Sequence, residues 1–141
     1  MTFLGIFFAV SNLSSWAAKA PLSPEKLQKE ASHIVSGKIL EVTAKVQKST
    51  VEKGIGLHRD RVFTIKIRVR SISKGAGVKP GDQIDVIAWQ PSTRIPPRPG
   101  LQGHELIPKK ADVVTFHLRR KKGGGFEPLL PNGIAVRKGG D

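Results

Sequence analysis

A chain of 141 residues with 38% hydrophobic content can bury one modest core and is too short for two ordinary domains. The complete absence of cysteine excludes disulfide staples, thiolate metal sites and cysteine nucleophiles, and a formal net charge of +13 points to anionic partners or to a merely solubilising cationic surface. Fifteen glycines and ten prolines, with few helical runs, favour a mainly β fold of strands and turns.

Residues 1–20 carry an apolar run from Phe3 to Val10 and end in Ala18-Lys19-Ala20, the small-x-small form of a signal-peptidase site. They are expected to be a cleaved export signal, with the mature chain starting near Ala20, in the periplasm or outside the cell. The run is too short to span a bilayer. Removing it takes away only Lys19, so the basicity belongs to the remainder. Residues 21–33 follow as a helix and its lead-in. Ser23 serves as N-cap, Pro24 suits the first helical position and Glu25 lies near the positive end of the dipole, which predicts two turns to about Ala31 with Leu27 and Ala31 facing the sheet.

His33 to Ser49 predicts a long first strand whose buried parity changes near Ile39. Val35 and Ile39 share one face, and Leu40, Val42, Ala44 and Val46 the other, so a bulge or bend near Gly37 is required. Thr50 to Asp60 reads as a polar loop. The clearest periodicity follows: Phe63, Ile65, Ile67 and Val69 alternate with Thr64, Lys66, Arg68 and Arg70, one face for the core and one for water. Lys79-Pro80-Gly81-Asp82 predicts a type II turn with Gly81 at positive φ, and a third strand resumes at Ile84.

Residues 91–110 form a proline-rich loop, and such a long ordered loop in a small domain is often functional. Val113 to Arg120 is a fourth strand with Val114, Phe116 and Leu118 inward. Lys121 to Gly125 turns the chain into a fifth strand, Phe126 to Val136, broken by Pro128 and by Pro131-Asn132-Gly133. Residues 138–141 are expected to fray. The domain then spans 34–137.

These segments carry a resemblance. ASHIVSGKILEV looks like the opening of a netrin-like (TIMP-like) OB-barrel domain, where a short helix leads into a strand of the form A-D-x-V-x-x-G-x-V. FTIKIRVRSISKG, GDQIDVIAW and DVVTFHLRR are similar to that family's second, third and fourth strands, over residues 24 to 120 in all. The resemblance implies a five-stranded OB-like barrel with a short N-terminal helix, often exported and often an interaction module. Inhibition of metalloproteinases through an N-terminal cysteine does not carry over, because there is none.

Catalysis finds no motif, and no cofactor or metal is expected. His33, His58, His104 and His117 stand apart, and the pairs His58 with Asp60 and His104 with Glu105 read as solvated loop residues. Binding has better candidates. Arg119, Arg120, Lys121 and Lys122 crowd one hairpin, while Arg94, Arg98, Lys109 and Lys110 flank the proline-rich loop; if both regions lie at one barrel end they form a cationic rim. Trp89, at the exit of the third strand, is expected to clamp that loop with its indole. The expected protein is a monomeric module for an anionic polymer, envelope component or protein. The alternative is an envelope accessory domain that contacts protein through the proline-rich loop. Single-stranded nucleic acid comes third, because aromatics are only 6% of residues and tyrosine is absent.

Overall fold

The computed structural model describes residues 20–100 and 102–137. Apart from Ala20, the expected export signal lies outside them, as does the expected tail. Among the described residues no helix is long and apolar enough to cross a membrane.

The one helix among the described residues, α1 (Pro24–Glu30), starts as the sequence predicts: Ser23 Oγ accepts from the Lys26 amide at 3.2 Å, with Pro24 in the first turn. Leu27 and Ala31 pack with Ile34 and Leu129 in a small cluster of their own. Six strands follow: β1 (His33–Lys48), β2 (Leu57–Lys74), β3 (Gln83–Ile95), β4 (Val113–Arg120), β5 (Phe126–Pro128) and β6 (Ile134–Val136). The fifth strand predicted from sequence is divided. β5 and β6 lie along the same edge of β4 but are separated by residues 129–133, where Gly133 N–H bonds the Leu129 carbonyl at 2.9 Å and the chain loops out. Proline has no N–H to give a ladder, so Pro131 suits this excursion.

β1 pairs with both β2 and β4, and β5 pairs parallel to β3 and antiparallel to β4, so five strands close into a ring in the order β1-β2-β3-β5-β4. The parity of β2 decides its interior: Ile65, Ile67 and Val69 are buried, with Val35, Ile39, Val86, Phe116 and Leu118 facing them. Register shifts flank Gly37 and Ile39 in β1, where the sequence demands a change of phase.

The first three strands outrun the ring. β1 keeps β4 as a neighbour only to Lys38, yet continues with β2 to Lys48, and β2 with β3 reaches the pair Leu57–Ile95. This corrects two expectations. Leu57 to Asp60 and Pro91 to Ile95 are strand, not loop; Pro91 is accommodated at a register irregularity where Ser92 is the extra residue. Ala44 and Val46, expected to be buried, are exposed because nothing packs over that face beyond the ring.

Two turns feed the ring in the same way. In Lys79-Pro80-Gly81-Asp82 the Asp82 carboxylate accepts from the Lys79 amide at 2.9 Å, and Gly81 has φ 96°. In Lys109-Lys110-Ala111-Asp112 the Asp112 carboxylate accepts from the Lys109 amide at 2.8 Å, and Ala111 has φ 77°. Each positive-φ residue donates its N–H to a core strand, Gly81 to Val69 and Ala111 to Ile39. The two sites therefore respond to mutation with opposite signs. Gly81→Ala is expected to lower stability by about 1 kcal/mol and Ala111→Gly to raise it by about 1 kcal/mol in urea unfolding. Equal signs would contradict the shared geometry.

Candidate functional site

The part of β1, β2 and β3 beyond the ring has two unlike faces. On one, His58 and Asp60 are buried beneath two loops, residues 49–56 and the segment after β3. Asp60 accepts from Ser49 Oγ at 2.7 Å and pairs with Arg94 at 2.5 Å, both side chains being less than a tenth exposed. The Arg94 guanidinium also donates to Gln102 Oε1 at 2.9 Å and to the Arg59 carbonyl at 2.8 Å. Ser49 Oγ accepts in turn from the amides of Val51 and Glu52, and Glu52 faces Arg98 across the loops at 3.4 Å. Asp60 and His58 are thus not solvated loop residues, and Arg94 is a buried structural charge.

His104, expected in solvent, is 2% exposed. The Trp89 amide donates to its Nδ1 at 3.1 Å, which leaves the hydrogen on Nε2 to donate to the Pro128 carbonyl at 2.9 Å. Gln90 Nε2 donates to the His104 carbonyl, and the His104 amide to the Trp89 carbonyl. The proline-rich segment is therefore held at His104 by the main chain of Trp89. Trp89 also lines an outer groove of about 310 Å³ with Asp60, Val62 and Ile87, bordered by Val51, Lys121 and Leu130.

Burial pushes the His104 pKa below its ordinary value, against smaller opposing effects of its bonds to Pro128 and Trp89, and burial lowers His117 likewise. Both groups are neutral in the fold when the unfolded chain already takes up protons. Stability is therefore complete above about pH 6.5 and falls as the pH drops below it, until the folded groups protonate too. The His104 contribution to the slope is at most about 1.4 kcal/mol per pH unit. Urea midpoints should fall between pH 7 and pH 5, and His104→Gln should flatten the profile; an unchanged profile would contradict the assignment.

His33 is structural as well. Its ring stands edge-on to Phe126 at 4.9 Å and its Nε2 lies 2.8 Å from the Ala76 carbonyl. Among the described residues no group of three or more His, Cys, Asp or Glu side chains is arranged to hold a metal ion.

The eight cations expected to form one rim are not all at one end of the ring. Lys109 and Lys110 lie in the turn before β4, whereas Arg119 to Lys122 lie at its far end, roughly 26 Å away at the rise of a strand. Arg119 is paired with Glu127, and the Arg120 guanidinium sits over the Phe126 ring at 5.2 Å. Lys121 borders the groove, and Lys122 is exposed in the following turn.

A row of unpaired cations lies on the other face of the extension. Lys48 stands directly opposite Arg59, and Arg61 opposite Val46; Leu57 shares their face opposite Ile95. All six are exposed. No acidic residue occupies these positions, and none of the three cations has an ion pair among the described residues. Sequence reasoning missed this face because residues 50–60 were read as loop. The signal was present: Leu57, Arg59 and Arg61 alternate with His58, Asp60 and Val62, but with the polar residues on the buried side.

Over the described residues, fold and site together define a mainly β protein with a closed five-strand ring, a short helix and an open cationic sheet face. Comparison of the chain with protein-family models, with curated proteins and with solved structures finds no match.

Proposed function

We propose that the protein is an exported interaction module of the netrin-like OB type, which engages an anionic partner through the open face of β1, β2 and β3 and catalyses no reaction. The cyclic strand order, the parallel closure of β5 on β3 and the helix before β1 support an OB-like barrel. The function rests on one observation, the row Lys48, Arg59 and Arg61 with no acid on its face. Like charges directly opposite on neighbouring strands repel each other. A bound polyanion would relieve that repulsion. The same face carries no row of aromatics for stacking, which disfavours single-stranded nucleic acid. Contact through the proline-rich segment is disfavoured because much of its polar hydrogen bonding turns inward to Trp89, Gln90 and Arg94.

Heparin serves as a general polyanion probe. Binding should weaken steeply with salt, and Arg61→Glu or Lys48→Glu should weaken it at low salt and lower the salt slope by roughly one per cation removed, while Lys109→Glu leaves it nearly unchanged. Binding that ignores salt, or that responds equally to Lys109→Glu, would refute the assignment.

A further inference from the structure

Six large aliphatic residues are exposed among the described residues, and three of them, Ile55, Leu57 and Ile95, lie at the end of the sheet extension. Ile55 at the tip of the 49–56 loop is 95% exposed, and Leu57 and Ile95 beside it are 45% and 57% exposed. Leu57 and Ile95 are cross-strand partners, so their side chains lie together on the open face. Arg59 is the next residue on that face of β2, with Lys48 opposite it and Arg61 one pair further in. The molecule thus ends in an aliphatic tip backed by a belt of cations.

Exposed aliphatic side chains gathered at a tip lose contact with water only if something covers them, and contiguous apolar patches of this kind mark interaction sites. We infer that the tip docks on an anionic lipid surface, with Ile55, Leu57 and Ile95 entering the headgroup boundary and Lys48, Arg59 and Arg61 lying among the lipid phosphates. This rests on the reading of the open face as anion-binding and names its partner. Charge complementarity selects the lipid: an apolar protein pocket would suit the aliphatics without using the cations, whereas an anionic bilayer uses both layers in the order in which the fold presents them. The opposite face carries the two loops joined through Arg94, Asp60 and Glu52, whereas the open face has neither loop over it.

The test is co-sedimentation of the purified protein with phosphatidylcholine vesicles and with vesicles of phosphatidylcholine mixed with phosphatidylglycerol, beside heparin binding. The inference predicts partition onto the anionic vesicles alone, lost with Arg61→Glu. It predicts that Ile55→Ser lowers partition about fivefold while heparin binding and melting temperature stay as in wild type. Ile55 is almost fully exposed, so this variant should not disturb folding. Heparin binding without vesicle binding, or vesicle binding indifferent to Ile55→Ser, overturns the lipid assignment and leaves the anion-binding face standing. Failure to bind either probe overturns both.

Discussion

Arg94→Met is expected to lower the stability of the fold by about 3 kcal/mol, measured by urea unfolding at neutral pH. The variant keeps the length of the side chain and removes every donor. Asp60 would then be a buried carboxylate with Ser49 as its remaining side-chain donor, while Gln102 and the Arg59 carbonyl would also lose a partner. Most of the loss comes from the uncompensated charge, so the double variant Arg94→Met with Asp60→Leu should recover a large part of it. A loss below about 1 kcal/mol in the single variant would mean that water reaches Asp60 and that the loops do not seal that face.

Gly37→Ala is expected to be at least as damaging, with a loss of about 3 kcal/mol or more. At Gly37 the strand β1 is flanked on both sides, by Val69 of β2 and Val114 of β4. A Cβ there would lie 2.0 Å from the Arg68 carbonyl oxygen, a main-chain atom that cannot move without parting the strands. The ring closes through this residue, so amide exchange should rise in β2 and β4 alike. A variant that folds with wild-type stability would show that the ring is looser than the register implies.

Much of the ring was legible in the sequence, because a buried sheet face leaves a period of two. Phe63 to Val69 marked the interior of β2, and the change of parity in β1 placed the bend at Gly37. Lys79 to Asp82 named its turn from proline and glycine alone, whereas the matching turn at Lys109 to Asp112 was hidden by an alanine in the positive-φ position. The site was much less legible. Asp60 and Arg94 are 34 residues apart and meet only because β2 and β3 continue past Pro91, which reads as the end of a strand. His104 looked solvated because its neighbours are prolines, glycines and charges, and nothing local reveals that Trp89 and Pro128 enclose it. Lys109 and Lys110 stand apart from Arg119 to Lys122 because β4 holds them at opposite ends, a consequence of topology that charge counting does not contain.

The account stands on the open face as the place where anions bind, and a residue-resolved titration of the labelled protein with a short heparin-derived oligosaccharide addresses this most directly. Amide and side-chain signals of Lys48, Arg59 and Arg61, together with Val46 and Thr93 beside them, should shift first and saturate together, with Lys109, Lys110 and Lys122 little affected. Shifts centred on Arg119 to Lys122 or on Lys109 and Lys110, with the open face unmoved, would contradict the central claim.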